Sequence, residues 1–220
     1  MIKLVVFDLD GTLVNSLTDL AESVNKGLVK AGLEPKPVEN YKRYVGNGRE
    51  MMIKRAMGEF AENEELLSVV RETFNAEYKI HCNDNTCSYY GCEGLLTKLE
   101  NAGIIMAVLS NKPDEFVGEI LKKVYPNHKF AEAWGKKAEY APKPDKEALL
   151  AMLQKHNIKQ NECMYIGDSD VDVYTAQNAR VNMAGVEWGF RGKEELMSVG
   201  APFVAQNAEE LFNYIRDYNE

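Results

Sequence analysis

The strongest constraint on the fold is the alternation of short apolar runs with segments of helical periodicity. The apolar spacing of helices occurs in EGLLTKLENAG (93–103) and KEALLAMLQKHN (146–157). The strand-like runs are IKLVVF (2–7), IIMAVLS (104–110), CMYIG (163–167), VNMAGV (181–186) and PFVA (202–205). This alternation predicts an α/β fold with a doubly wound parallel sheet, to which FAEAW (130–134) adds a short strand.

One interval is too long for an ordinary connection between strands. About 85 residues (8–92) separate the first strand from the helix that precedes the second, and they contain three helical segments. These are LTDLAESVNKGLVKAG (17–32), NGREMMIKRAMG (47–58) and NEELLSVVRETFNAEYKI (63–80). The pattern predicts a helical cap domain at 15–86, inserted into an α/β core of residues 1–14 and 87–220. We expect this cap at the carboxyl end of the sheet, where α/β folds bind their ligands.

Charge and composition exclude several classes of partner. The net charge of −8 argues against general affinity for nucleic acid or an anionic membrane. No basic leader opens the chain and no run of about 18 apolar residues occurs, so we expect a cytoplasmic protein. For the oligomeric state, we expect either a monomer or a homodimer. Cys82, Cys87, Cys92 and Cys163 lack the C-x2-C spacing of zinc sites, which favours reduced structural thiols over a redox or metal cluster.

Two acidic clusters follow predicted strands. VVFDLDGTLVNS (5–16) places Asp8 and Asp10 directly after an apolar run, and YIGDSDVDVYTAQNA (165–179) does the same with Asp168, Asp170 and Asp172. Adjacent carboxylates raise each other's pKa or need a cation. If the two strands are neighbours, the carboxylates converge on one point, and hard oxygen ligands of this kind suit Mg²⁺.

A magnesium ion among carboxylates suits a phosphoryl substrate, which also needs a fixed cation and hydrogen-bond donors. VLSNKPD (108–114) places Ser110 and Asn111 just beyond the second strand. APKPDKEALL (141–150) holds Lys143 between two prolines, which restrict where that lysine can point. We favour Lys143 as the fixed cation over three competing lysines, Lys136, Lys137 and Lys146.

Four ordered motifs carry a resemblance to a known family. The motifs are Asp-Leu-Asp-Gly-Thr, Ser-Asn, Lys-Pro-Asp and Gly-Asp-Ser-x-x-x-Asp. In this order they resemble the four motifs of the haloacid dehalogenase superfamily. The nearest resemblance is to its phosphoglycolate phosphatase-like branch, which has an inserted helical cap. The resemblance implies that Asp8 is the nucleophile and that Asp10 is the general acid and base. It also implies that Mg²⁺ is bound by Asp8, the backbone carbonyl of Asp10 and Asp168, with Asp172 acting through water or orienting these ligands.

The same resemblance implies a substrate-binding set. Ser110 and Lys143 would hold the phosphoryl oxygens, and Lys143 would also neutralise Asp8. Arg49 lies beside the Gly46-x-Gly48 turn and has two interpretations. It would bind an anionic leaving group, or the turn would only lead into a helix and Arg49 would have no role in binding. The full set of expected phosphate-binding and substrate-binding residues is Gly11, Thr12, Asn111, Ser110, Lys143 and Arg49.

Some residues keep two interpretations. Asp170 caps the following helix or touches the metal. The segment VEWGFRGKEEL (186–196) resembles its counterpart in phosphoglycolate phosphatase-like proteins, although Trp188 could simply pack and Arg191 could lie at the surface. His81, His128 and His156 share no spacing with the acids, and we assign them no catalytic role.

The resulting prediction is a Mg²⁺-dependent phosphatase that hydrolyses a small phosphorylated metabolite through an aspartyl-phosphate. The first choice of substrate is 2-phosphoglycolate. The alternatives are a phosphomutase of the β-phosphoglucomutase type and a nucleotidase or pyrophosphatase on the same fold. A signalling receiver domain also phosphorylates an Asp beside a metal, but it is shorter and lacks the counterpart of Asp10.

Overall fold

The computed structural model describes residues 1–218 of the chain. It divides into two compact units. One unit combines Met1–Val14 with the chain from Ser88 onward, and the other is Asn15–Cys87. The chain leaves the first unit within the short strand β2 (Val14–Asn15) and returns to it within β3 (Cys87–Ser88).

The first unit is built on a six-stranded parallel sheet, which confirms the predicted fold class. Its strands are β1 (Leu4–Phe7), β4 (Ile105–Pro113), β5 (Glu132–Lys136), β6 (Cys163–Gly167), β7 (Asn182–Val186) and β8 (Val204–Ala205). Their order is β5-β4-β1-β6-β7-β8. Phe7 pairs with Val108 on one side and with Ile166 on the other, so the residues that follow β1, β4 and β6 emerge at the same edge.

Six helices cover this sheet. They are α5 (Cys92–Asn101), α6 (Asp114–Val124), α7 (Glu147–Lys155), α8 (Asp170–Ala179), α9 (Lys193–Ser198) and α10 (Ala208–Asp217). All four residues of β1 are buried, because helices cover both faces of a sheet of this kind. A core cluster joins Leu4 and Val6 of β1 to Tyr165 of β6 and to Leu149 and Met152 of α7.

Strand β4 is longer than the sequence indicates. The apolar pattern predicts an end at Ser110, whereas the strand continues through Ser-Asn-Lys to Pro113. Its pairing with β5 shifts register between Leu109 and Pro113, which marks a bulge or a similar irregularity. Pairing resumes at Pro113, so Asn111 and Lys112 lie in the irregular part of the strand, between paired residues.

The second unit is helical. It contains α1 (Leu17–Lys30), α2 (Tyr41–Tyr44), α3 (Arg49–Met57) and α4 (Glu64–His81). Helix α4 begins where the side chain of Asn63 accepts a hydrogen bond from the Leu66 amide at 3.1 Å. Helices α1 and α4 pack closely at Gly27, where an added Cβ would lie 2.8 Å from the Val70 carbonyl oxygen.

The four cysteines form no disulfide within residues 1–218. Cys82, Cys92 and Cys163 are buried, and burial raises the pKa of the Cys92 thiol to about 12. No helix of residues 1–218 has the length and apolarity that a membrane span requires.

A buried carboxylate ties the two ends of the second unit together. Asp19 of α1 accepts hydrogen bonds from the Asn85 amide (2.9 Å) and side chain (2.9 Å). It also accepts from the Thr86 amide (2.8 Å) and hydroxyl (2.6 Å). Thr86 is buried, so its two donors would otherwise be buried without this acceptor.

Replacing Asp19 by Ala tests this arrangement. Because buried donors lose their acceptor, Asp19→Ala is expected to lower the free energy of unfolding in urea by about 3 kcal/mol. The control is Asp84→Ala, which removes an exposed carboxylate 2.7 Å from His81 Nδ1. It is expected to change the free energy by less than about 0.5 kcal/mol. Equal losses in the two variants would contradict the role given to Asp19.

Candidate active site

Three carboxylates meet at the carboxyl edge of the sheet. Asp8 follows β1, Asp168 follows β6, and Asp172 lies in the first turn of α8. One oxygen from each lies within 4.8 Å of the others, and all three residues are buried. Within residues 1–218 no other set of three or more His, Cys, Asp or Glu side chains brings ligand atoms this close. The parallel pairing of β1 with β6 produces this convergence.

Lys143 lies between two of these acids. Its Nζ is 2.9 Å from Asp8 Oδ1 and 2.8 Å from Asp172 Oδ1, and it donates a hydrogen bond to the Tyr165 hydroxyl at 2.9 Å. The lysine side chain is only 4% exposed. Tyr165, on β6, was missed by the sequence analysis because an inward-facing aromatic in a strand looks like ordinary core.

The other candidate lysines lie elsewhere in the first unit. Lys137 Nζ lies over the Trp134 ring, 4.4 Å from its centroid, and Lys146 is exposed immediately before α7. Lys136 is the exposed last residue of β5. Of the four candidates, Lys143 is the one that the structure brings to the acids.

Asn111 holds the backbone of Lys143. Its side-chain oxygen accepts from the Lys143 amide at 2.8 Å, and its side-chain nitrogen donates to the Lys143 carbonyl at 3.0 Å. Both polar ends of the Asn111 amide therefore engage the segment that carries the lysine. These contacts fix the position of Lys143, and the expected role of Asn111 in phosphate binding stays a prediction.

Burial controls the charge state of the site. Burial raises the pKa of the Asp8 carboxyl to about 7, because the opposing effect of Lys143 is partly cancelled by the charge of Asp172. Burial, with the charges of Asp172 and Asp8, also raises the pKa of Asp168 well above its usual range. Burial works against the Lys143 ammonium, yet Asp172 and Asp8 hold its pKa well above the ordinary value. When the three acids are ionised, they carry more negative charge than Lys143 balances, and a divalent cation fits this donor set.

Asp172 is engaged by protein donors on both oxygens. Oδ2 accepts from the Ser169 amide at 3.1 Å and hydroxyl at 2.7 Å, and Oδ1 accepts from Lys143. Ser169 and Asp172 form a capping box at the start of α8. The cap position that was considered for Asp170 is occupied by Ser169, and Asp170 is the first residue of the helix.

Glycines allow the backbone to approach the acids. A Cβ at Gly11, whose φ is +91°, would lie 2.3 Å from Asp168 Oδ2. A Cβ at Gly189 would lie 2.3 Å from Asp168 Cβ, and one at Gly167 would lie 2.2 Å from Asp172 Cβ. Side chains at these positions would displace the carboxylates. Gly189 was not among the candidate residues, although it lies in the singled-out segment 186–196.

That segment donates hydrogen bonds to Asp168 after β6 and to the loop after β1. The Phe190 amide donates to Asp168 Oδ2 at 2.6 Å, and Trp188 Nε1 donates to the Thr12 carbonyl at 3.0 Å. Trp188 therefore makes a directed contact as well as packing. Arg191 Nε lies 3.3 Å from Glu195 within the same segment.

The two candidate hydroxyl residues are both buried. Ser110 Oγ accepts from the Lys112 amide at 3.3 Å. The Thr12 hydroxyl is buried and, within residues 1–218, has no hydrogen-bond partner. A buried hydroxyl beside the acids is a group that a ligand could satisfy.

Asp10 is paired with a cation that the sequence analysis missed. Lys112 Nζ donates to Asp10 Oδ1 at 2.9 Å and lies 3.1 Å from Oδ2. Asp10 follows β1 by three residues, and Lys112 lies in the extended part of β4. The signal was present in the sequence as the Lys of Ser-Asn-Lys, but a strand ending at Ser110 gave no reason to place it at the site.

Arg49 belongs to the second unit. It is the first residue of α3, and its Nη1 donates to the Asn75 side chain at 2.7 Å. Gly46 and Gly48 before it have φ values of +118° and +85°, which favour glycine.

The three histidines lie next to acids outside the cluster: His81 next to Asp84, His128 next to Glu100, and His156 next to Glu132.

Comparison with known proteins places this geometry in a family. Residues 5–186 match the model of the haloacid dehalogenase-like hydrolases. The phosphoglycolate phosphatase of Vibrio parahaemolyticus is 32% identical over 219 residues, covering 97% of this chain and 96% of the relative. That of Psychrobacter arcticus is 30% identical over 221 residues, covering 97% and 95% of the two chains.

Solved structures agree with these relatives. A candidate phosphoglycolate phosphatase from Lactobacillus delbrueckii subsp. bulgaricus superposes with a TM-score of 0.91 at 29% identity, over 97% of this chain and 98% of that one. A predicted phosphoglycolate phosphatase from Haemophilus somnus gives 0.89 at 25% identity, over the same shares. The resemblance found in the sequence is thereby confirmed. This chain belongs to the haloacid dehalogenase-like hydrolase family and is a phosphatase.

Proposed function

We propose that this phosphatase is Mg²⁺-dependent and hydrolyses a small phosphomonoester through an aspartyl-phosphate on Asp8. The observation that carries the proposal is the position of Asp8, which lies against Lys143 and within the cluster formed with Asp168 and Asp172. A carboxylate nucleophile must keep its charge and reach phosphorus, and a neighbouring ammonium favours the charged form.

The acid cluster supports the choice of metal. Asp8, Asp168 and the backbone carbonyl of Asp10 would hold Mg²⁺, which prefers hard oxygen ligands. Asp172 would orient this set, since protein donors already engage both of its oxygens. When bound, the ion supplies positive charge to the phosphoryl oxygens.

The chain's own residues account for the remaining chemistry. Asp8 attacks phosphorus in line, while Asp10 gives a proton to the departing oxygen. In the second step water attacks phosphorus and gives a proton back to Asp10, and the bond between Asp8 and phosphorus breaks. Lys143 and Ser110 bind the phosphoryl oxygens, and the buried Thr12 hydroxyl is a further donor beside them.

The relatives favour 2-phosphoglycolate as substrate. Full-length relatives at 30–32% identity are described as phosphoglycolate phosphatases, so we propose the same substrate here. Arg49 in the second unit is proposed to bind the carboxylate of the leaving group. Arginine suits a planar carboxylate because its guanidinium can donate two parallel hydrogen bonds.

A panel of phosphorylated compounds tests the substrate. With Mg²⁺, phosphate release from 2-phosphoglycolate is expected to exceed that from a nucleoside monophosphate, pyrophosphate and a hexose 6-phosphate by at least about tenfold in kcat/KM, because selectivity of this size needs only one matched polar contact. Faster release from AMP or from pyrophosphate would replace the proposed substrate. Isomerisation of a hexose 1-phosphate in the presence of its bisphosphate, without phosphate release, would indicate a mutase.

Replacing the nucleophile tests the mechanism. Asp8→Asn keeps the size of the side chain but removes the attacking oxygen anion, so turnover of p-nitrophenyl phosphate is expected to fall by more than about 10³-fold. The matched control is Asp170→Asn, which removes a nearby acid outside the cluster and is expected to stay within about threefold of the native rate. Near-native turnover by Asp8→Asn, in a protein with native circular dichroism, would refute the assignment.

Metal binding has its own readout. After treatment with EDTA, addition of Mg²⁺ at about 100 times its Kd is expected to stabilise the folded protein by about 2.7 kcal/mol and to raise Tm. Asp168→Asn removes one charged ligand and is expected to abolish this rise. A Tm that responds equally in both proteins would place the metal elsewhere.

A further inference from the structure

The two buried lysines of the site divide the acids between them. Lys143 contacts Asp8 and Asp172, whereas Lys112 contacts both oxygens of Asp10 at 2.9 and 3.1 Å. An ammonium held between both oxygens of one carboxylate restrains the rotation of that carboxylate. The contact therefore fixes the direction in which the Asp10 oxygens point.

The cost of this pair argues against a purely stabilising role. The Lys112 side chain is 2% exposed and that of Asp10 is 11% exposed. Removing such charges from water costs several kcal/mol per ion, and well-packed apolar residues often stabilise a protein as well as a buried ion pair does. A buried pair beside the nucleophile is thus better explained by what it positions.

The backbone at Lys112 is itself held in place. Its amide donates to Ser110 Oγ, and a Cβ at Gly135 of β5 would lie 2.4 Å from the Lys112 carbonyl oxygen. The close approach of β5 thus leaves little room for this part of β4 to shift. Lys112 extends to Asp10 from a rigid strand, which is the kind of support that a positioned catalytic group needs.

We propose that Lys112 is a positioning residue that aims the Asp10 carboxyl group at the oxygen of the departing group. The inference rests on the proposed function, in which Asp10 donates a proton to that oxygen as the bond to phosphorus breaks. Lys112 does not contact phosphorus or exchange a proton. It acts through Asp10 by fixing the orientation of the carboxyl group.

Leaving groups that differ in their need for a proton test this role. p-Nitrophenolate departs without protonation, whereas the alkoxide of an alkyl phosphate needs a proton. The value of kcat/KM is therefore measured for p-nitrophenyl phosphate and for the alkyl phosphate of the panel that the native enzyme hydrolyses fastest. Loss of a cation near the phosphate weakens both reactions. The effect on proton donation is therefore isolated by the substrate ratio, defined as kcat/KM for the alkyl phosphate divided by kcat/KM for p-nitrophenyl phosphate.

Lys112→Met keeps the length of the side chain but has no N–H donor. It is expected to lower kcat/KM for the alkyl phosphate by about 30-fold more than for p-nitrophenyl phosphate, within the range of general acid catalysis. Lys112→Gln retains a donor at shorter reach and is expected to show a smaller loss of the same kind. It also carries the test if Lys112→Met fails to fold, as judged by circular dichroism and Tm.

Two comparisons separate positioning from other effects. Lys137→Met removes a lysine that lies over the Trp134 ring and is expected to leave the ratio unchanged. The second comparison combines Asp10→Asn with Lys112→Met. Relative to Asp10→Asn alone, the double variant is expected to show no further fall in kcat/KM for the alkyl phosphate relative to that for p-nitrophenyl phosphate, because both changes disable one unit.

The outcomes distinguish this inference from the proposed function. The role of Lys112 would be overturned if Lys112→Met lowered kcat/KM equally for the two substrates. It would also be overturned if the effects of Asp10→Asn and Lys112→Met on the substrate ratio were fully additive in the double variant. Either result would leave the roles of Asp8 and Asp10 in place. Activity retained by Asp8→Asn would instead overturn the proposed function. The inference is supported if the substrate ratio falls in the Lys112→Met and Lys112→Gln variants but not in the Lys137→Met variant.

Discussion

The site depends on a buried ammonium placed between two carboxylates. Lys143 contacts Asp8 and Asp172 while almost fully buried. Asp8 follows β1, Asp172 lies in the helix after β6, and β4 between β5 and β1 carries the Asn111 that binds the Lys143 backbone. Isolated charges at this depth would be strongly disfavoured, whereas paired and hydrogen-bonded charges are tolerated. Asn111 and Tyr165 hold the lysine through its backbone and its ammonium. The sheet therefore supplies the positions, and the lysine makes their charge acceptable.

Much of this arrangement follows from the sequence because Asp8 and Asp168 each directly follow a strand. Apolar runs predict where β1 and β6 end, and parallel pairing then brings Asp8 and Asp168 to the same edge. The local spacing of Asp172 from Ser169 also indicates a capped helix. These inferences need only short-range patterns and the rule that strands of a doubly wound sheet are parallel.

What the sequence could not provide are contacts across long separations and strands whose composition is polar. Lys112 was overlooked because hydrophobic periodicity ends at Ser110, while backbone pairing with β5 continues to Pro113. Asn111 was assigned to phosphate by its place in a motif, yet its amide engages Lys143, which lies 32 positions further along the chain. Gly189 is visible only when the backbone around Asp168 is known. Packing determines such contacts, and a single sequence contains no local signal for them.

Counting charges links the two lysines to the proposed metal. Asp8, Asp10, Asp168 and Asp172 bring four carboxylates to the site, while Lys112 and Lys143 bring two ammonium groups. When all are ionised, two negative charges remain, which is the charge that one divalent cation balances. Without such a cation, burial raises the pKa of the Asp8 carboxyl, the proposed nucleophile, to about 7, which favours its protonated form. Binding of a divalent cation would reverse this effect, because a nearby positive charge favours the ionised carboxylate. The same ion that neutralises the cluster would thus also keep Asp8 ionised, which is the form that the proposed attack on phosphorus requires.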